Sequence, residues 1–195
     1  KQFKGQKDLE KDIELLNSQV ERCNEILKRL TLNPVEEDEF IDKDINIRDY
    51  LHEIISSFRE ISKKEFVFNF DQDSNPKKIS KSIEIVYGLR NFIGNANKFA
   101  KNTIFINLKS DSEITEITVE DDGDGYPRDI ISKIGEPYLK SNYSKDKSKE
   151  GLGLGLFIGK TLLEKNFASV NCRNSKTRNG AEVVIRWKNK ELFNI

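Results

Sequence analysis

Methionine is absent from all 195 positions, the first included. A translation product begins with methionine, so the chain is expected to be an excised piece of a longer protein. Cysteine is scarce too: Cys23 and Cys172 lie in separate segments. Two such residues make neither a zinc site nor a disulfide framework, and favour a reducing, cytoplasmic setting. No apolar run approaches the roughly 18 residues of a membrane span, and the polar start KQFKGQKDLEK has no signal-peptide core, so this region is expected to be soluble. Neither sign of charge is in excess, the formal net charge being +0. Bulk electrostatics therefore give no reason to expect nucleic acid or an acidic membrane surface as a partner.

What is there suits a globular chain with one domain and a sizeable core, or one domain with a smaller appendage. Leu9, Ile13, Leu16, Val20, Cys23, Leu27 and Leu30 alternate spacings of four and three, a heptad seam that predicts a helix packed along another helix. Asn33-Pro34 ends it, and the acidic run Glu36 to Glu39 reads as a solvated linker, which places a domain boundary near residue 35. Beyond it the pattern mixes periods. Helices are predicted over 45–61 and 80–101, the second burying Ile83, Val86, Leu89, Ile93 and Ala96. Strands are predicted over 66–70, 103–109 and 113–120, the last two as a hairpin, with a short helix around 128–134. The lysine-rich stretch 140–150 reads as a mobile loop; a last helix runs to about Phe167, and ASVNCRN and AEVVIRW read as closing strands. Strands separated by helices, with antiparallel neighbours, argue for an α+β sandwich rather than a doubly wound parallel sheet.

Three clusters in this frame carry possible chemistry. Asn91, Asn95 and Lys98 share one face of the second helix, away from its apolar stripe. Alone the trio also reads as a solvated face, yet asparagine at i and i+4 is a poor choice for exposed helix, and an amide oxygen is a neutral hard donor suited to magnesium beside phosphate. In EDDGDGYP, the two-residue period puts Asp121 on the same side of its strand as Ile117 and Val119. A carboxylate pointing into a core needs hydrogen-bond donors, and a ligand amino group is one. Gly123 and Gly125 allow a sharp turn there, although an Asp-Gly turn between elements is common in its own right. The third cluster is GLGLGLFIGKT, residues 151–161. It fails as a P-loop, because Leu154 stands where the first glycine belongs, and as a dinucleotide fingerprint, because Ile158 stands where the third belongs. A helix opening among glycines still offers free N–H groups to phosphate oxygens. Leu152, Leu154, Leu156, Phe157 and Ile158 leave that end no polar face, so the helix is expected to be buried with only its tip toward a ligand; glycines for close helix packing are the alternative.

Taken in order, NFIGNANKF, DDGDG, a lysine-rich loop and GLGLGL resemble the ATP-binding domain of sensor histidine kinases in the GHKL superfamily, over about residues 38–187. The resemblance implies a two-layer Bergerat-type sandwich, a mixed sheet covered by helices on one face, preceded by a long helix. Residues 1–34 would be the second helix of the dimerisation and phosphotransfer hairpin, and 35–195 the catalytic domain with an ATP lid at about 136–151. ATP and Mg2+ would be bound: Asn95 on the metal, Asn91 and Lys98 near the phosphates, Asp121 on the adenine amino group, Gly123 and Gly125 shaping the pocket, and Gly151, Gly153 and Gly155 letting the lid close. Lid cations such as Lys140 or Lys145 would add charge near the phosphates. IGEPYLKS together with NGAEVVIRW is similar to the redox-responding RegB/PrrB kinases.

The implied activity is transfer of the γ-phosphoryl group of ATP to a histidine, for relay to an aspartate of a response-regulator receiver domain. A homodimer through the hairpin and an inner-membrane parent with this region in the cytoplasm follow from the same resemblance. The acceptor histidine itself is missing. His52 is followed by Glu53 but lies inside the nucleotide-binding domain's own first helix, where it is expected to be a surface residue rather than the acceptor. The chain is thus expected to bind ATP without phosphorylating itself. Two other readings stay open: a GHKL ATPase or anti-sigma-type serine kinase, and a non-catalytic, nucleotide-responsive scaffold. Cys23 in the seam is expected to pack as a small hydrophobe.

Overall fold

A computed structural model of the chain describes residues 45–71, 78–79, 82–137 and 154–192, with backbone alone at 45, 78, 79 and 83. The chain divides into two units, Lys1–Ile41 and Asp42–Ile195, and every described residue lies in the second. The expected seam helix, Cys23, the loop at 140–150, Gly151 and Gly153 fall outside the described residues.

The elements are β1 (Ile45–Asn46), α1 (Ile47–Arg59), β2 (Glu65–Phe70), β3 (Lys78–Ile79), α2 (Ile83–Phe99), β4 (Thr103–Ser110) and β5 (Ile114–Asp121). A 3-10 turn (Ile131–Lys133) follows, then α3 (Gly155–Lys165), β6 (Ser169–Asn174), β7 (Ala181–Lys188) and α4 (Asn189–Leu192). The first helix begins two residues later than its apolar period suggests. Asn46 stays extended, and its side chain accepts from the Arg48 N–H at 2.9 Å as an N-cap.

Five strands form one mixed sheet in the order β2-β4-β5-β7-β6. Only β2 and β4 are parallel, the connection that requires a crossover, and α2 lies within it. The register puts Phe68, Ile106, Val119, Val183 and Cys172 in one row across the sheet, with Ile117 and Ile185 in the next. That face is covered by α1, α2 and α3, whose Leu51, Ile55, Leu89, Ile93 and Leu163 join it in a single core. The opposite face presents the alternate residues, among them several charged pairs. Arg173 pairs with Glu182, Arg186 with Glu116, and Arg178 with Glu120 at 3.5 Å while stacking on Phe105. One apolar and one polar face is the period-2 pattern of a sheet covered on one side.

The helix pair α2 and α3 meets through two glycines. A Cβ on Gly88 would lie 2.5 Å from Leu163 Cγ, and one on Gly159 would lie 3.0 Å from Phe92 Cε2 and 3.2 Å from the Gly88 carbonyl. Gly159, the glycine of the false P-loop signature, therefore serves close helix packing. Contrary to expectation, α3 is not buried at its start: only Gly159 and Leu163 are buried, and Leu156, Phe157 and Ile158 are half-covered. The helix lies over α2 along one side, and apolar side chains on its flanks remain partly open, as apolar surface often does.

Candidate functional site

Asp121 is the last residue of β5 and, by the strand's parity, sits in the core-facing row opposite Ile104. It is 2% exposed. One carboxylate oxygen, Oδ1, accepts from the Gly123 N–H at 2.8 Å and from the Ala181 N–H at 3.2 Å. Oδ2 has no hydrogen-bond partner among the described residues. Burial pushes the carboxyl above its ordinary pKa despite those two N–H groups; Asp122 adds to the rise and Lys64 opposes it. Oδ2 is not sealed off, since Tyr126 Oη alone is a fully buried side-chain polar atom without a partner among the described residues; a donor from a ligand can therefore reach it.

The turn that follows fits around this carboxylate. A Cβ on Gly123 would stand 2.5 Å from the carbonyl oxygen of Phe99, at the end of α2, so glycine is what lets the turn and that helix end touch. Gly125 has φ +74, the left-handed region, and its missing Cβ would strike Asn174. Asn174 clasps the turn from β6: its Oδ1 accepts from the Tyr126 N–H at 2.6 Å and its Nδ2 donates to the Tyr126 carbonyl at 3.0 Å. Asp122 holds the other side, its carboxylate accepting from the N–H groups of Lys101 at 2.7 Å and Asn102 at 3.0 Å. Partial burial raises its pKa, but the N–H groups of Asn102, Thr103 and Lys101 outweigh that and hold it below the usual value.

On α2, Asn91 and Asn95 are half-buried and one turn apart. The Asn91 amide nitrogen donates back to the Tyr87 carbonyl at 2.8 Å, which turns its oxygen toward α3, 3.5 Å from where a Cβ of Gly155 would lie. The Asn95 side chain makes no hydrogen bond to any described residue. Lys98 is half-buried in the last turn, its ammonium 5.4 Å from the centre of the Phe99 ring. No side chain among the described residues caps α3, whose N-cap position is Leu154. The structure thus brings Asn91 against the start of α3 and ties the Asp121 turn to the end of α2.

Lys160 and Thr161 belong elsewhere. The Lys160 ammonium lies 3.9 Å from Glu164, and its stem fills the space a Cβ of Gly135 would need, 2.6 Å away. Cys172 is half-buried beside Tyr126, and burial pushes its thiol up to about 11, so it packs as a neutral group at physiological pH. His52 is exposed on α1, its Nδ1 3.4 Å from Ser56 Oγ, in keeping with a surface histidine.

Sequence reasoning missed the residues that hold Asp121 from a distance. Gly180 is the most constrained: a Cβ there would lie 1.8 Å from the Asp121 carbonyl oxygen. An Asn-Gly dipeptide favours a turn, but nothing in the sequence says what that turn abuts. Gly180→Ala is expected to destabilise the fold by about 3 kcal/mol or more, because backbone rather than a flexible side chain must move. Gly94→Ala, beside Asn95, is the control: its Cβ would meet only the Phe58 ring at 3.6 Å. A gain of up to about 1 kcal/mol is expected there from helix propensity. Thermal denaturation of both variants checks the contrast.

Comparison with known proteins sets this geometry in context. The family model described as histidine kinase-, DNA gyrase B-, and HSP90-like ATPase matches residues 80–191. Sensor histidine kinase RegB of Cereibacter sphaeroides is 31% identical over 175 residues, 86% of this chain and 37% of its own length. Sensor protein RstB of Escherichia coli is 31% identical over 99 residues, 51% of this chain and 23% of its own length. The chain thus spans little more than a third of RegB, at 37%. Among solved structures, the mycobacterial sensor histidine kinase MprB superposes with a TM-score of 0.63 at 19% identity, covering 75% of this chain and 97% of that one. Full-length ShkA in complex with AMPPNP gives 0.61 at 21% identity, covering 74% of this chain and 30% of that one.

Proposed function

We propose that this chain, which belongs to the histidine kinase-, DNA gyrase B- and HSP90-like ATPase family, binds MgATP between α2, the Asp121 turn and the start of α3, and serves as the catalytic region of a sensor histidine kinase. The observation that carries this reading is Asp121, buried in the core-facing row with one oxygen held by two N–H groups and the other without a donor among the described residues. An adenine amino group supplies that donor. Gly123 and Gly125 give the turn its close fit, and Asn174 and Asp122 keep it from opening.

Asn95 suits magnesium on the chemistry of its donor: a half-buried neutral amide that no described residue engages. Bound there, the ion neutralises charge on the phosphates, the main requirement of phosphoryl transfer. Asn91, Lys98 and the uncapped start of α3 present polar and cationic groups to the same anion. Gly151, Gly153 and Gly155 act as the hinge of a lid at about 136–151, with Lys140 and Lys145 as its cations. In the parent protein, the γ-phosphoryl leaves ADP and forms a bond to an imidazole nitrogen of an acceptor histidine, from which a response-regulator aspartate takes it. Residues 1–34 are the second helix of the hairpin that dimerises the protein, and 35–195 the catalytic domain. The kinase works in the cytoplasm from an inner-membrane parent; among the described residues no helix is long and apolar enough to cross a membrane.

His52, exposed on α1 within this domain, is not the acceptor. With labelled ATP the chain alone is expected to acquire no acid-labile label, whereas an added acceptor-hairpin protein carrying its histidine is expected to acquire it. Steady phosphate release without transfer indicates an ATPase instead, binding without either indicates a scaffold, and label on His52 refutes the assignment of that residue.

A further inference from the structure

The asparagine-bearing helix α2 ends without the left-handed glycine cap common at helix C-termini. Its C-cap, Ala100, leaves at φ −52 and ψ 149, with no glycine in the left-handed conformation to fold the chain back onto the last carbonyls. Those carbonyls still need donors. Lys64, in the corner between α1 and β2, supplies them: its Nζ donates to the carbonyls of both Asn97 and Ala100. A cation at that position also complements the negative end of the helix.

The corner is itself held in place. The Ser62 N–H donates to Phe58 at 2.9 Å, the Lys64 N–H to Ser62 Oγ at 3.1 Å, and Ser62 Oγ to Asn97 Oδ1 at 2.7 Å. The Glu65 N–H donates to Asn102 at 2.9 Å, just past the end of α2. The same helix end also meets the Asp121 turn through Phe99 and Gly123, and through Asp122 on the N–H groups of Lys101 and Asn102. The last turn of α2 is therefore gripped between Lys64 and the residues that surround Asp121.

We propose that Lys64 is a positioning residue of the nucleotide site: it fixes the end of α2 against the Asp121 turn and adds a cation to the surroundings of Asp121. This rests on the MgATP reading above. The groups that bear on Asp121 are Asp122 beside it and Lys64 from the α1–β2 corner, together with the N–H groups of Gly123 and Ala181; burial pushes the nearby Tyr126 phenol well above its ordinary value, so it stays neutral. Lys64 is the cation of the set, and it favours the ionised carboxylate. Nucleotide binding that uses the carboxylate is lost as pH falls through the Asp121 pKa. Removing the Lys64 charge raises that pKa and moves the loss to higher pH.

The test measures MgATP affinity from pH 4 to 8 for wild type, Lys64→Met, Lys64→Gln and Lys64→Arg, with circular dichroism as the check on folding. Lys64→Gln keeps an N–H donor for the helix carbonyls and drops the charge, so it remains available if Lys64→Met does not fold. Lys64→Met is expected to bind about tenfold more weakly at pH 7, through misplacement of the site. Both neutral variants are expected to lose binding at a higher pH than wild type, and Lys64→Arg to restore the wild-type midpoint. A folded Lys64→Gln with the wild-type midpoint overturns the proposal, as does a lower melting temperature without change in affinity or pH profile. A wild-type chain that binds no MgATP at any pH overturns the nucleotide reading and this proposal with it; binding by wild type with indifference to Lys64 overturns this one alone.

Discussion

Asp121→Asn is expected to reduce MgATP affinity at least about 100-fold while leaving the nucleotide-free chain as stable as wild type or more so. The loss has two parts. A charge-assisted hydrogen bond to the adenine amino group disappears, worth about 1.5–3 kcal/mol. In its place an amide N–H points at another N–H donor. The gain in stability follows from the carboxyl's pKa, which burial holds above the ordinary value. A folded chain that takes up this proton more readily than the unfolded chain has stability that is fully present below the unfolded pKa and lost as pH rises through the folded one. At pH 7 the buried, ionised Asp121 is therefore a cost to the empty fold. The substitution removes that cost, and an amide oxygen can still accept from Gly123 and Ala181. Calorimetric titration paired with thermal melts at pH 7 checks both signs. Affinity within a few-fold of wild type removes Asp121 from the site, and a sharply lowered melting temperature makes it a structural residue.

Asn95→Asp should act on the metal and leave the base alone. A carboxylate beside the triphosphate repels it when no ion is present and holds Mg2+ more tightly when one is. ATP affinity without magnesium is expected to fall about tenfold, and the magnesium concentration at half-maximal ATP binding to move down by a similar factor. Adenosine, which has no phosphates, is expected to compete equally well against both proteins, since its amino group meets Asp121 rather than Asn95. An unchanged magnesium titration removes Asn95 from the metal. A parallel loss of adenosine binding means that the substitution has disturbed the whole helix.

The readable parts of this molecule are those in which one period decides one face. Alternation in β4 and β5 located the strands to within a residue at most ends, and the same parity turned Asp121 inward beside Ile117 and Val119 before any contact was known. Of the stripe that the 3.6-residue period predicts on α2, Leu89, Ile93 and Ala96 are buried, Val86 is half-covered, and the Ile83 side chain lies outside the described residues. Periodicity names a face and not the neighbour that covers it. The strand order, with β7 inserted between β5 and β6, was therefore not legible, nor was the two-residue pairing of Ile45 with Ile79, too short to show a period. The uniformly apolar start of α3 predicts burial, yet Leu156 and Phe157 are only half-covered, because hydrophobicity does not by itself supply a covering neighbour. Residues that grip the site across long sequence separations were invisible for a related reason. Lys64 sits in a lysine pair like any solvated turn, and only the fold brings it to the carbonyls of Asn97 and Ala100.

The central claim is that the second oxygen of Asp121 is the adenine contact of an ATP site completed by Asn95. A crystal structure of the chain with magnesium and a non-hydrolysable ATP analogue tests it most directly. The account predicts the adenine amino group within hydrogen-bonding distance of Asp121 Oδ2, with the metal bound to the Asn95 amide oxygen and the phosphates at the start of α3. A nucleotide bound with its base away from Asp121, or seated on the charged outer face of the sheet, contradicts it.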